Sequence, residues 1–468
     1  MNEQNAFYAV LLPRFFKIFH NVTYHGVPIC KYTYYQFISD WNIDWAKENL
    51  PYLEADMSKV KDSQVYSWSD EPYVYDPHPE GVIIMRGGFG DIASSYFPKE
   101  RYFLLSPSQA EVDLIKINRP DLISHSITDY YKENPKAVRE LLGQVTEIIN
   151  GQKADPIFGS TKLLQWFQDK ISEIVRTFDA IQSLFKMVNV AAVLTVSSIY
   201  SMDGALNLCA RANRIPSFTL QHGIMAEHDL FGHVPILATK KMVWGKAFSE
   251  FYQKFGYPES RTSIIGSPRF DIVLNQKWCG REKLSQMAGI DPSKKIIIYA
   301  AQIFFYNQTI APIILEGLKS IPDVFLIILL HSGDNPLPHE QLIRGCNNCK
   351  VVRFGHISLY DALSGADFFM TYYSTAALEA MLFKIPVITV EPTPPTFSFG
   401  DLGASLKVTN AAELNQVVLR LLSDETYRTY AVNRYREFLY RYCLADGLAS
   451  KRLFDEIEAL CHSGGIAL

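Results

Sequence analysis

The sequence predicts an α/β chain made of two parallel-sheet domains, and three observations carry that expectation. Short apolar runs, among them AAVLTV (191–196), KIIIYA (295–300) and VFLIILL (324–330), alternate with segments of helical spacing, as in parallel sheets covered on both faces. A length of 468 residues is more than one hydrophobic core usually serves. The segments at 191–218 and 366–388 also share one plan: a strand, a Ser/Thr/Tyr turn, a helix opening near Ala-Leu, and an Ile-Pro that begins the next strand. A plan repeated in the two halves suggests two Rossmann-like units, although any two βαβ units share some of these cues.

In chain order, residues 1–80 are rich in Tyr and Trp without clear periodicity and read as an N-terminal extension or subdomain. Residues 81–270 form the first domain. Its strands are placed at 81–86, 102–105, 191–196, 215–220, 243–245 and 263–265, with helical spacing at 162–188, 204–214 and 246–255. A linker is expected near 271–289, inside a second domain spanning 271–430. That domain has strands at 295–300, 324–330, 350–353 and 367–371, and helices near 310–318, 358–364 and 376–383. The remainder, 431–468, reads as helical.

Composition narrows the function. Hydrophobic residues make up 48% and charged residues 20% of the chain, so it is globular. A formal net charge of −4 argues against general nucleic-acid binding, which needs a basic field. Seven dispersed cysteines read as reduced thiols of a cytoplasmic protein. Cys346 and Cys349 have metal-like spacing, but one pair falls short of the four ligands of structural zinc. No signal peptide or membrane-spanning run is evident. The segment FYAVLLPRFFKIF (7–19) has the composition of an interfacial membrane contact at the inner face of a cell membrane. Its shortness and Pro13 favour packing against the protein instead.

The chemistry-bearing residues cluster at expected strand ends. After the strand at 367–371, Tyr372-Tyr373-Ser374-Thr375 leads into a helix. Its first N–H groups and the two hydroxyls suit a phosphate or diphosphate. Glu379, one turn on, can accept from ribose or sugar hydroxyls. Gln302, His331 and His356 follow other strands of this half and are contact candidates. In Gly266-Ser267-Pro268-Arg269, the glycine permits close backbone approach and the arginine can grip phosphate. A surface turn would read the same way. In the first half, His222 stands in Gln221-His222-Gly223 at a strand end, with Glu227 and His228 close behind. Asp91 follows the turn Gly87–Gly90. Transfer to a hydroxyl needs a general base, and Asp91, His222 and Glu227 are the candidates.

TLQHG, VWG…FGYP…IIGSPRFD, ILLHS and ADFFMTYYSTAALEAMLFKIPVI occur in that order over about 191–391. Together they resemble bacterial GT-B glycosyltransferases of capsule and surface-polysaccharide synthesis and, more distantly, CDP-glycerol glycerophosphotransferases. The resemblance implies two Rossmann-like domains facing a central cleft, donor nucleotide on the C-terminal domain and acceptor on the N-terminal one. It matches Ser374, Thr375 and Glu379 to the donor site, His331 to a phosphate contact, Gly266–Arg269 to the interdomain turn and His222 to a cleft-facing histidine. Asp91 after RGGFG is also similar to the Gly-Asp loop of heptosyltransferase-like enzymes. His331-Ser332 replaces the His-Pro of the glycerophosphotransferases, and Tyr372-Tyr373 replaces their acidic residue, which favours sugar donors.

The function expected from the sequence is therefore transfer of a sugar from a nucleotide-sugar to a hydroxyl of a surface glycan, glycolipid or glycoprotein, without a metal or other cofactor. A UDP-sugar 2-epimerase of the same fold, and a non-catalytic nucleotide-sugar-binding assembly protein, are the alternatives.

Overall fold

The computed structural model describes residues 1–41, 52–331, 334–353 and 355–467. Ser332 of the ILLHS motif lies outside them. The chain forms two compact units: Met1–Ile265 with Ser450–Leu468, and Gly266–Ala449.

The first unit is built on β4 (Val82–Arg86), β5 (Tyr102–Ser106), β6 (Ser124–Ser126), β7 (Val190–Thr195), β8 (Ser217–Leu220), β9 (Lys240–Val243) and β10 (Thr262–Ile264). They make one parallel sheet in the order β10-β9-β8-β7-β4-β5-β6. All six residues of β7, VAAVLT, are buried, because a parallel strand covered on both faces has no solvent side. Ile83, Met85, Leu104, Leu194, Phe218 and Met242 form a core together with Leu453, Ile457 and Leu460 of the C-terminal helix Ala449–Ser463. That helix thus completes a core begun some 370 positions earlier in the chain (about the separation of Ile83 from Leu453).

The described residues before position 80 form a largely helical layer of this same unit. Helix Glu3–Phe19 carries Phe7, Leu11, Leu12, Phe15, Phe16 and Phe19 at three- and four-residue spacing, and all are buried. Phe15 stacks on Phe37 with centroids 4.2 Å apart and meets Phe167 of the helix Thr161–Met187. The apolar side chains of 7–19 are therefore used in packing, with Pro13 accommodated inside the helix. A small hairpin, β1 (Thr23–Tyr24) with β2 (Val27–Pro28), and the pairing of β3 (Tyr73–Tyr75) with Gly465–Ala467 complete the unit. Among the described residues, no helix is long and apolar enough to cross a membrane.

The second unit holds β11 (Lys295–Ala300), β12 (Val324–Leu329), β13 (Cys349–Val352), β14 (Phe368–Thr371), β15 (Val387–Val390) and β16 (Leu406–Val408). The order is β13-β12-β11-β14-β15-β16, all parallel. The expected linker at 271–289 is instead largely helical, as Pro268–Asn275 and Gly280–Ala288. Pro268 opens the first of these at a position where its missing N–H costs nothing. Leu284, Ser285 and Ala288 bury one face of the second.

Counted from its own first strand, each sheet runs 3-2-1-4-5-6, the first adding a seventh strand. This is the doubly wound Rossmann order, and ligands bind where it reverses, at the carboxyl ends of strands 1 and 4. Those strands are β4 and β7 in the first unit, β11 and β14 in the second. The segments that repeat one plan in the sequence are topological equivalents, each running from strand 4 through a helix to strand 5.

Candidate functional site

In the second unit, Gln302 follows β11, and Ser374 and Thr375 follow β14, so they flank the reversal point. Thr371 Oγ1 accepts from Ser374 N, and Ser374 Oγ accepts from Ala376 N, each at 3.3 Å. Ser374 thus ties down the start of the helix Ala376–Leu382, and its own proton remains to donate. Ala377 N and Leu378 N already bond to Ser374 and Thr375 carbonyls. The free N–H groups expected of this helix start are therefore largely used, which leaves the two hydroxyls as the candidate anion contacts. Thr375 and Gln302 are half-buried.

Glu379 lies on the same helix, 1% exposed. Arg269 pairs with its Oε1, so two residues singled out separately in the sequence are brought together. Oε2 is buried and has no hydrogen-bond partner among the described residues, and such a carboxylate oxygen is costly unless something donates to it. Burial raises the carboxyl pKa, and Arg269 opposes that rise. Tyr306, in the helix Phe304–Leu318 after β11, meets Tyr372 and Tyr373 with centroids 6.0 and 5.9 Å apart. These rings give the strand ends an aromatic wall. In the sequence the tyrosine pair registers only as a departure from a motif.

The remaining candidates of this unit follow other strands or the turn that opens it. His331 follows β12, adjacent to β11, and is exposed. His356 follows the edge strand β13, two strands from β11, and is exposed. Gly266 has φ +85°, and a Cβ there would come within 2.8 Å of the Leu444 carbonyl. What crowds this glycine is the chain's own backbone. Ser267 is buried at the start of the helix Pro268–Asn275 without capping it.

In the first unit, the reversal point gathers a group the sequence discloses only in part. Arg86 ends β4 and reaches Asp203 at 3.1 Å and Glu111 at 3.2 Å. Asp203, fully buried, also accepts from Val196 N (3.0 Å) and Ser197 N (3.2 Å), which fixes the turn after β7. Burial pushes the Asp203 carboxyl up, and Arg86 pulls it back. The Val196 carbonyl accepts from His222 Nδ1 at 2.8 Å. A carbonyl cannot donate, so Nδ1 carries the proton and Nε2 keeps a lone pair in the neutral ring. Tyr200 OH lies 3.5 Å from Nε2, and the Tyr200 ring lies under the Arg86 guanidinium. One side of the His222 ring faces solvent. The protein packed around the rest, and then Lys241, lower its pKa. Arg86, Asp203, Tyr200 and Lys241 had no sequence signal beyond their places near strand ends.

The other two base candidates are engaged elsewhere. Asp91 is exposed and ion-paired to Arg119, which also holds Asp121 at 2.7 Å. Glu227 is exposed and held by Lys254 at 2.6 Å. Neither hydrogen-bonds to the His222 group among the described residues. There, too, no three His, Cys, Asp or Glu side chains are grouped to hold a metal, and Cys346 and Cys349 are free thiols.

Two doubly wound parallel sheets in one chain define the GT-B fold, and comparison with solved structures bears this out. The chain is similar to UDP-GlcNAc 2-epimerase from Neisseria meningitidis bound to UDP-GlcNAc, at 12% identity and TM-score 0.55, over 80% of this chain and 98% of that one. It is similar to the UDP-GlcNAc 2-epimerase from Methanocaldococcus jannaschii, at 12% identity and TM-score 0.54, over 81% and 99%. A glycosyltransferase from Rickettsia africae matches at 13% identity and TM-score 0.50, over 81% and 99%. No protein-family profile and no curated protein matches the sequence.

Proposed function

We propose that the protein is a metal-independent glycosyltransferase that moves a sugar from a nucleotide-sugar to an acceptor hydroxyl. The observation that carries this reading is the buried Oε2 of Glu379, unpartnered among the described residues, on the helix that follows Ser374 and Thr375 at the reversal point of the second sheet. A ribose hydroxyl donating to Oε2 would satisfy that oxygen. The Ser374 and Thr375 hydroxyls then donate to the diphosphate, and the tyrosine wall offers faces for a base. Fixed donors at a leaving nucleotide stabilise the charge it develops without solvent reorganisation. In the first unit, neutral His222 takes the acceptor proton through Nε2, its tautomer set by the Val196 carbonyl. A surface glycan, glycolipid or glycoprotein as acceptor, and a bacterial capsule setting, rest on the order of the sequence motifs alone. The chain would then act in the cytoplasm.

The test is calorimetry with UDP, GDP, CMP and CDP, followed by turnover assays of the matching sugar donors. One nucleotide class should bind, and Glu379→Ala should weaken it by about 1–3 kcal/mol, the usual cost of removing one partner of a buried polar contact. Unchanged affinity in Glu379→Ala would overturn the assignment. Turnover should survive chelation by EDTA, and its loss would refute the metal-independent reading.

A second reading, 2-epimerisation of a UDP-sugar, is favoured by the names of two of the structural neighbours above. It needs no acceptor. Conversion of a UDP-sugar to its 2-epimer with no acceptor present would establish it over transfer.

A further inference from the structure

The first unit buries a cation that the proposed chemistry does not use. Lys241, the second residue of β9, is 6% exposed. It lies in register with Thr219 on β8 and Thr262 on β10, and Thr219 with Thr195 on β7. Registered residues of a parallel sheet share a face, so these four side chains form one polar row. The threonines are provided for. Asn207 of the helix Ser201–Ala212 donates to Thr195 at 3.0 Å and to Thr219 at 3.2 Å. Thr262 bonds Ser249 of the helix Lys246–Lys254 at 2.8 Å.

Lys241 has no such partner among the described residues. Its carboxylate neighbour is Asp203, on the helix Ser201–Ala212. Both oxygens of Asp203 are committed, one to Arg86 and the other to Val196 N and Ser197 N. The other charged or titratable groups it acts on are His222, after β8, and His233, after the turn Glu227–Gly232. Both of these feel it as a like charge. Burial pushes the ammonium down to about 7, and the Asp203 charge only partly opposes it. Among the described residues, the fold thus keeps a lysine beside hydroxyls and histidines with no hydrogen-bond acceptor of its own, near the ring whose Nε2 meets Tyr200 OH at 3.5 Å. A buried ammonium is unfavourable unless an anion completes it.

We propose that Lys241 recognises an oxyanion of the acceptor, a carboxylate or a phosphate, placed near the hydroxyl that His222 deprotonates. This deepens the transferase reading and rests on it for the word acceptor. The acceptor class is then an acidic sugar or a phosphorylated glycan rather than a neutral one.

The test titrates the full chain at pH 7 with glucuronate, glucose 6-phosphate and glucose, by calorimetry or ligand-detected NMR. At least one charged sugar should bind tenfold or more tighter than glucose. A carboxylate-only or phosphate-only preference identifies the source of the oxyanion, and equal preference assigns Lys241 to oxyanions in general. Lys241→Met should abolish the preference and Lys241→Arg should keep part of it, while both still bind UDP as the wild type does, which shows them folded. Equal binding of all three sugars, or a preference that survives in Lys241→Met, would overturn the proposal. If the charged preference holds and no nucleotide binds, the oxyanion site stands and the donor reading alone fails.

Discussion

At the scale of single residues, His222 owes its state to one carbonyl, to burial and to one lysine. The Val196 carbonyl fixes the proton on Nδ1. Burial first, then Lys241, holds the imidazolium form below the ordinary 6.5. A lowered histidine pKa enlarges the neutral fraction at a given pH, so the base stays competent in more acid solution. The acid limb of kcat/KM should therefore fall below pH 6.5. His222→Gln should lower kcat by about 10²–10⁴-fold, the usual worth of a positioned base, with UDP affinity unchanged. A limb at or above 6.5, or a near-normal kcat in His222→Gln, would move the role to another group. Lys241 makes the opposite kind of prediction, one about stability. Its unfolded value is 10.5 and its folded value about 7, so its contribution is intact above pH 10.5 and is lost as pH falls toward 7. Lys241→Met should raise Tm by about 2–8 °C at pH 7, given the few kcal/mol typical of relieving a buried charge. The gain should shrink at pH 10, and a Tm that falls at both pH values would contradict it. The sequence shows His222 because a histidine at a strand end is a local signal. It does not show that Arg86 meets Asp203, 117 positions away, or that Lys241 lacks a hydrogen-bond partner among the described residues. Those facts belong to contacts that only the folded sheet creates.

At the scale of the element, the turn from β14 into Ala376–Leu382 divides labour between two neighbouring hydroxyls. Ser374 Oγ accepts from Ala376 N and so holds the turn as well as offering a proton. Thr375 makes no such bond, and the residue is already helical. Ser374→Ala should therefore cost about 0.5–2 kcal/mol of stability, as loss of a helix-start acceptor does, besides weakening UDP. Thr375→Ala breaks no helix-start bond, so it should leave stability within about 0.5 kcal/mol and weaken UDP alone. Denaturant unfolding and calorimetry on both variants separate the two roles. Equal stability losses, or a Thr375→Ala variant that binds UDP normally, would defeat the division. The turn was legible in the sequence because a fully buried apolar strand, a Ser-Thr step and an Ile-Pro restart punctuate it. The helices at 268–288 were not, since Gly280–Ala288 buries only Leu284, Ser285 and Ala288 and so shows little periodicity. The aromatic layer before residue 80 was missed for the opposite reason. Its buried Phe and Tyr residues do have helical spacing, but so dense an aromatic content also fits strands.

At the scale of the whole molecule, each unit has its own sheet, core and reversal point, so each can answer a ligand separately. The shared strand order could not be read from the sequence, because pairing between strands distant in the chain leaves no local pattern. It has a consequence for assigning the ligands. A ligand that binds only the folded form stabilises what it binds, by about 2.7 kcal/mol at a hundred times its Kd. Hydrogen exchange reads that gain amide by amide, because local opening energies differ across a structure. UDP at saturation should slow exchange at 300–307 and 371–379, around β11 and β14, and leave 196–222 unchanged. A charged sugar bound at Lys241 should do the reverse, slowing 196–222 and 240–243 alone. The two patterns test the division of donor and acceptor between the units without assuming the reaction. Were UDP to protect Arg86 and the 196–222 stretch instead, the nucleotide would belong to the first unit. The unpartnered oxygen of Glu379 would then need a different donor, and the buried lysine would be the phosphate contact of the nucleotide itself.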